Sequence, residues 1–240
     1  MAIKVPLDLN EAFVDRHAEI DPTTGSPVAD PVMSSLSNAV KLAREGAVSL
    51  RDYETAATAD RSVTPEWNIL RIAEAARKTG QRVAGQMDAA RSKAIAEIEA
   101  IEKRISAPPA PKDNVALSIE SDITRTLASM GDKERTDAVA KAKADNNETI
   151  LAAILRRPAM VSGLGEAQLE SIRHHYRAHL HPADYARLQR LRKAVEATER
   201  SGHLFVSIVN SAADTPAARL AAANARAVED AQRLHAGQGA

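Results

Sequence analysis

The chain contains no cysteine and very few aromatic residues, with two phenylalanines, three tyrosines and one tryptophan in 240 positions. The absence of cysteine excludes disulfides, a thiolate nucleophile and any metal site built on cysteine. Large aromatic side chains supply much of the buried area in ordinary cores. The interior must therefore consist of alanine, leucine, isoleucine and valine, which suits helices that pack closely side by side.

The chain also has no excess of either charge, because 32 basic residues balance 32 acidic ones. Bulk electrostatic binding to nucleic acid depends on net positive charge or on a positive face, so this balance argues against it. The longest apolar runs, such as residues 150–155, are far too short for a membrane span. The first residues lack a basic region followed by an apolar stretch, so we expect no signal peptide.

No motif for catalysis is visible. Residues 162–165 read Ser-Gly-Leu-Gly, but no strand precedes them and no Gly-Lys-Ser/Thr follows, so they predict a turn and not a phosphate loop. The Gly-x-Ser-x-Gly nucleophile elbow is also absent. We therefore expect no enzymatic activity and no cofactor.

A histidine-rich segment is the strongest candidate for a metal site. His175 and His179 lie four residues apart, so both could face one ion from one side of a helix, and Glu170 and His174 share that spacing. His181 follows closely. The His-Glu-x-x-His pattern is missing and no cysteine or aspartate cluster supplies further ligands, so we expect no metal. A small regulatory enzyme or metal protein built around His175 and His179 is the third-ranked alternative.

Composition and proline spacing predict an all-α fold. Alanine, leucine and long charged residues dominate, and these are strong helix formers. Proline follows Asp30, Thr64, His181 and Thr215, where it fits the first position of a helix. The predicted helices are 31–59 with a break near Gly46, 64–105, 113–130, 132–145, 147–157, 165–180, 182–212 and 215–235.

The helix predicted over residues 64–105 is the longest, at roughly 60 Å, which exceeds the roughly 45 Å width of a compact chain of this length. Apolar and small residues from Ile69 to Ala94 alternate spacings of four and three, which is a heptad seam, and the register slips once before Ile98. The seam predicts an internal hairpin with 32–59, an intermolecular coiled coil, or an isolated rod. For the intermolecular case, the predicted partner contacts are Ile69, Val83, Met87, Ile98, Ile101 and Ile105.

Five segments are expected along the chain. These are an extended arm over 1–30, either free or docked on a neighbouring subunit; a helical hairpin or coiled-coil rod over 31–106; a proline-rich linker over 107–112; a bundle of shorter helices over 113–212; and a C-terminal helix and tail over 213–240. In the bundle, Ile119, Ile123, Leu127 and Met130 are expected to line one buried face. The C-terminal helix carries Leu220, Ala227 and Leu234 on one side and needs a neighbour to be stable.

A basic stretch lies between Ser171 and Lys193, and it could contact phosphates or an acidic partner. The alternative is a solvated face that is balanced by acidic residues elsewhere. The candidate nucleic-acid contacts are Arg173, Arg177, Arg187, Arg190, Arg192 and Lys193.

Residues 154–164, which read Ile-Leu-Arg-Arg-Pro-Ala-Met-Val-Ser-Gly-Leu, are followed by a predicted helix, then by His181-Pro182 and a long amphipathic helix. This stretch is similar to segments of small helical structural proteins of tailed bacteriophages. The resemblance covers roughly residues 150–200 and transfers no functional residue. It implies a virion or assembly role, such as a neck, tail, ejection or internal head protein.

These features together predict a non-enzymatic structural subunit of a larger assembly, located in a phage virion or in the cytoplasm. Its expected partners are protein subunits, as a homo-oligomer or with other virion proteins, and we expect no membrane span. A scaffolding protein is a close alternative. A nucleic-acid-associated helical protein that uses residues 173–193 is the alternative from another class.

Overall fold

The computed structural model describes residues 2–106, 108 and 110–237, and it confirms the predicted all-α fold. The predicted arm from residue 1, the linker that includes Ala107 and Pro109 and the tail over 238–240 lie in part outside the described residues. The helices are α1 (Ala12–Asp15), α2 (Pro31–Ala59), α3 (Pro65–Ile105), α4 (Asn114–Ser129), α5 (Asp132–Ala144), α6 (Glu148–Leu155), α7 (Glu166–Leu180), α8 (Pro182–Ala213) and α9 (Pro216–Gly237), with a short 3-10 helix at Ala159–Ser162.

Capping residues explain where several of these helices start. The Asp30 carboxylate accepts hydrogen bonds from the backbone N–H groups of Val32 and Met33, at 2.9 and 3.3 Å. The Thr64 and Thr215 hydroxyl oxygens do the same for the first turns of α3 and α9. Each cap satisfies a backbone donor that would otherwise have no partner within the helix. The predicted proline-led starts of these helices are therefore confirmed.

Gly46 does not break α2, and that prediction is wrong. The helix is continuous from Pro31 to Ala59. A β-carbon at Gly46 would lie 3.2 Å from Thr79 Cγ2, 3.3 Å from Val83 Cγ2 and 3.6 Å from Phe205 Cε2. The absence of a β-carbon at Gly46 thus lets α3 pack closely against α2, and this packing overrides the helix-breaking tendency of glycine.

The chain divides into two compact units, and the predicted boundary at 107–112 is wrong. Unit 1 comprises the residues up to Ile95 and those from Leu191 onward, and unit 2 comprises Ala96 to Arg190. The proline-rich segment therefore lies within unit 2. The helices α3 and α8 each contribute residues to both units.

In unit 1, α2, α3 and α8 pack together around a core of small residues. A β-carbon at Gly80 would lie 2.9 Å from Val209 Cγ1, and one at Gly202 would lie 3.3 Å from Met87 Cε. The largest fully buried side chain is Phe205 on α8. These contacts place Gly80 and Met87 of the seam against α8 and Val83 against Gly46 of α2, so the hairpin predicted with 32–59 is joined by α8 of the same chain.

The N-terminal arm is docked on its own chain. Ile3, Leu9 and Val14 are buried. The Arg44 guanidinium on α2 donates two hydrogen bonds to the Glu11 carboxylate, from Nε at 2.9 Å and from Nη2 at 2.8 Å. This paired geometry anchors the arm to α2 of its own chain, which neither of the two alternatives, a free arm or one docked on a neighbouring subunit, describes.

The core of unit 2 is built by α4, α5, α6, α7 and the 3-10 helix. Leu151 and Ile154 on α6 and Ile172 and Tyr176 on α7 are buried in one cluster, together with Leu127. The aliphatic α6 thus lies at the centre, and the more polar helices pack around it. No helix in the described ranges is long and apolar enough to cross a membrane.

Candidate protein-interaction surfaces

Helix α4 buries Leu127 near its end, but its first half buries polar residues and exposes apolar ones. Glu120 and Thr124 are only 6% and 1% exposed. Val115, Leu117 and Ile119 are 67%, 48% and 47% exposed on the same helix. The prediction of a buried face is therefore wrong for Ile119, whereas Leu127 is buried and Ile123 and Met130 pack partly buried against the core of unit 2. Exposed apolar residues next to a groove are typical of a binding surface.

An ion pair determines which side of α4 faces the interior. The Glu120 carboxylate accepts a hydrogen bond from the Arg156 guanidinium at the end of α6, and both side chains are mostly buried. Beside this pair, Arg157 Nη2 donates to Ser121 Oγ at 2.7 Å. Because the Glu120 carboxylate is buried, losing this pair would be costly, so the pair favours the rotation of α4 that turns Glu120 inward.

The apolar side of α4 borders a groove of about 360 Å³. At 3.6 residues per turn, Val115, Ile119, Ile123, Thr126 and Met130 lie along one stripe, which we call the α4 stripe. Leu117 falls on the opposite side of the helix. The groove is lined by Ile119, Asp122, Ile123, Thr126, Leu127, Met130, Ala138 and Ile150.

Arg135 on α5 holds the end of this groove together. Its guanidinium donates to three backbone carbonyl oxygens, those of Leu127 at 2.8 Å, Met130 at 2.6 Å and Gly163 at 2.6 Å. Gly163 has a φ of +70°, and a β-carbon there would lie 2.8 Å from Arg135 Cζ. Arg135 thus connects the last turn of α4 to the segment that follows the 3-10 helix, and it gives the groove a fixed end.

A second exposed apolar surface lies on α9 in unit 1. Ala218 and Ala221 near its start are buried, whereas Leu220 and Leu234 are 64% and 69% exposed. The predicted apolar side of this helix therefore points away from the residues that anchor it.

The structure buries most of the predicted partner contacts on α3 inside the chain. Val83, Met87, Ile101 and Ile105 are buried and Ile69 and Ile98 are partly buried. Because the four buried side chains are covered by their own chain, they cannot contact a partner as predicted. In unit 1, the heptad positions Gly80, Val83 and Met87 pack against α2 and α8 of the same chain.

The predicted basic stretch is divided between the two units. Arg192 and Lys193 belong to unit 1 and are exposed, and the other four residues belong to unit 2. In unit 2, Arg173 pairs with Glu170 and Arg187 pairs with Glu97. These carboxylates offset part of the positive charge. Nucleic-acid association through this stretch stays a prediction.

The histidines of α7 make separate contacts. His174 Nε2 is hydrogen bonded to the Tyr185 hydroxyl, and His175 Nε2 lies 2.9 Å from Asn146 Oδ1. Burial lowers the pKa of His175, and the charge of Lys143 acts in the same direction. Among the described residues, no group of three or more histidine, cysteine, aspartate or glutamate side chains is placed to hold a metal ion.

Compared with known proteins, the chain matches no family model, no curated protein and no solved structure. The candidate interaction surfaces therefore rest on the burial and helix geometry described above and not on any related protein. Sequence reasoning missed Val115 and Leu117 as exposed positions. The sequence does place the polar residues Glu120 and Thr124 on one side of α4. Without the buried partner Arg156, however, a polar side of a helix indicates exposure to solvent.

Proposed function

We propose that this chain is a non-enzymatic structural subunit of a larger protein assembly, and that the α4 stripe contacts another subunit. The observation that carries this proposal is the first half of α4, which exposes Val115 and Ile119 and buries Glu120. In the isolated chain, exposing Val115 and Ile119 to water while Glu120 is buried against Arg156 contributes nothing to the free energy of folding. A partner that covers the stripe removes this apolar area from water and makes the arrangement favourable.

The partner we propose for the α4 stripe is an amphipathic helix of another protein subunit. The stripe runs from Val115 to Met130, which is roughly 22 Å at the rise of an α-helix. Its groove of about 360 Å³ is at the lower end of small-molecule pockets but suits a row of apolar side chains from a helix. Asp122 in the groove pairs with Arg125 at 2.9 Å, and a basic residue at the edge of the partner helix can share this exposed carboxylate.

For the assembly itself we propose a phage virion. Support comes from the resemblance of roughly residues 150–200 to structural proteins of tailed bacteriophages. Those residues include part of α6, the 3-10 helix and all of α7, which build the core of unit 2 beneath the α4 stripe. A role of the chain as scaffolding is the close alternative.

Sedimentation of extracts from the native source tests the assembly role. We expect the wild-type chain to sediment in high-mass complexes and Ile119→Asp to shift it to the free pool. Leu117→Asp is the matched control, because Leu117 is equally exposed on the same helix but lies outside the α4 stripe. Circular dichroism of both variants checks that they are folded. The proposal fails if the wild-type chain sediments free, or if Ile119→Asp sediments like the control.

Quantitative mass spectrometry of purified particles tests the virion role. A fixed copy number in mature particles supports a virion component. Presence in precursor particles and loss on maturation supports the scaffolding alternative, and absence from both would refute a role in the virion.

A further inference from the structure

The C-terminal helix carries a heptad seam on its exposed side. Counting from the start of α9, Ala217, Leu220, Asn224, Ala227, Ala231 and Leu234 alternate spacings of three and four. Every one of these residues is exposed. Such a seam faces a partner helix in a coiled coil, with Ala217, Asn224 and Ala231 at a positions and Leu220, Ala227 and Leu234 at d positions.

The seam lies away from the face by which α9 contacts unit 1. The buried or partly buried residues are Ala218, Ala221, Ala222 and Ala225. At about 100° per residue, the centre of this face is roughly 150° from the centre of the seam. The charged residues of α9 also lie outside the seam, at Arg219, Arg226, Glu229, Asp230 and Arg233. A partner can therefore cover the seam without displacing α9 from its own chain.

We propose that the occupant of this seam is α9 of a second copy of the chain, in a parallel and in-register pair. Asn224 is the residue that favours a second copy as the partner. Against an unrelated apolar surface, its side-chain amide would be buried without a hydrogen bond, which is costly. In a parallel pair the two Asn224 side chains face each other and can form hydrogen bonds, and an asparagine at an a position is known to fix register in parallel dimers.

The flanking residues agree with this orientation. In a parallel pair, Asp230 at a g position lies beside His235 at the following e position of the other copy, where a ring N–H of the histidine can donate to the carboxylate. Ala223 and Val228 occupy the preceding g and e positions, which adds an apolar contact. The alanines in the seam allow the two helices to approach closely.

The size of the contact predicts a weak dimer. With 22 residues, α9 is about 33 Å long. A strip about 10 Å wide along two such helices buries roughly 650 Å² in total, which is below the ~1,200 Å² of stable interfaces. Pairing of isolated chains is therefore expected only at high concentration, and it becomes effective where an assembly already holds several copies together. It uses a different surface from the α4 stripe, so either proposal can fail without the other.

Disulfide trapping tests the pair directly, because the natural chain has no cysteine. Ala227→Cys places a thiol at a central d position, and Glu229→Cys is the control, equally exposed but two residues away on the other side of the helix. Under mild oxidation we expect Ala227→Cys to form the disulfide dimer about tenfold faster than Glu229→Cys, since pairing raises the local thiol concentration. Equal rates for the two variants would overturn the proposal.

A mixed experiment tests the orientation. Leu220→Cys and Leu234→Cys chains that differ by a tag are oxidised together. A parallel, in-register pair gives 220–220 and 234–234 disulfides, whereas an antiparallel pair gives 220–234 disulfides, which would refute the parallel arrangement. Repeating the Ala227→Cys trapping in the Ile119→Asp background separates the two surfaces. We expect the rate of disulfide-dimer formation to be unchanged. If the dimer no longer forms in this background, the contact does not belong to α9 alone and the assignment is overturned.

Discussion

The close approach of α3 and α8 at Gly80 predicts opposite effects for two alanine substitutions on one helix. A β-carbon at Gly80 would lie 2.9 Å from Val209 Cγ1, 3.4 Å from Cγ2 and 3.7 Å from Cβ. Valine is branched at Cβ and has little rotamer freedom, so it cannot move aside easily. Gly85 lies five residues further along α3, and a β-carbon there meets no atom within 4 Å.

The expected magnitudes follow from two opposing contributions. Replacing a helical glycine by alanine stabilises by about 1 kcal/mol through helix propensity, so Gly85→Ala should gain roughly that amount. Gly80→Ala gains the same contribution but adds an overpacking cost of about 1–3 kcal/mol. Its net effect lies between roughly zero and 2 kcal/mol of destabilisation. The two variants should thus differ by the overpacking cost alone.

Urea unfolding followed by circular dichroism measures both variants under the same conditions. A third variant, Gly80→Ala with Val209→Ala, isolates the contact, because removing the valine methyl groups makes room for the new β-carbon. The double-mutant cycle should show a favourable coupling between positions 80 and 209. If Gly80→Ala stabilises the protein as much as Gly85→Ala does, α3 and α8 are not this close and the packing of unit 1 described above is incorrect.

Three further predictions concern the groove, the arm and Ile101, one of the α3 residues predicted from sequence to contact a partner. Arg135→Ala should destabilise by about 2 kcal/mol in urea unfolding, because three carbonyl oxygens lose a charged donor, whereas the exposed Arg125→Ala should change stability by less than about 0.5 kcal/mol. Hydrogen bonding to Arg44 lowers the pKa of Glu11 below its ordinary value near 4.5, so the stabilisation is present above that pH and is lost as the pH falls through the lower, folded-state pKa. Glu11→Gln should flatten this acid dependence of the urea midpoint, and an unchanged profile would contradict the role of the pair. Ile101→Asp should lower the folding stability by at least ~3 kcal/mol, since Ile101 is fully buried. The alternative is that Ile101 contacts a partner chain. In that case, the wild-type unfolding midpoint would depend on protein concentration, and Ile101→Asp would remove this dependence.

The helices themselves were largely predictable from sequence. Asp30, Thr64 and Thr215 followed by proline give local signals, because the cap and the fixed φ of proline act within one turn. The short helices after residue 113 could be placed for similar reasons. Local chemistry was sufficient wherever the structure depends on residues that are close in sequence.

The errors arose where distant residues decide. A heptad seam has the same spacing whether the partner helix belongs to the same chain or to another one, so the seam of α3 could not identify α8 as its cover. The rotation of α4 depends on Arg156, which lies 36 residues from Glu120. The poor helix propensity of Gly46 predicts a break, but Thr79 and Val83, more than 30 residues away, pack closely against it and leave little room for a side chain.

The scarcity of aromatic residues makes the protein well suited to spectroscopic labelling. Phe205 is buried at the crossing of α2, α3 and α8, whereas Phe13 on the arm is partly exposed. Incorporating fluorophenylalanine should therefore give two fluorine resonances, one reporting the interior of unit 1 and the other reporting the arm. The single tryptophan, Trp67, is exposed and would be a poor reporter of the interior. Loosening of the arm and melting of the core could thus be followed separately in one titration.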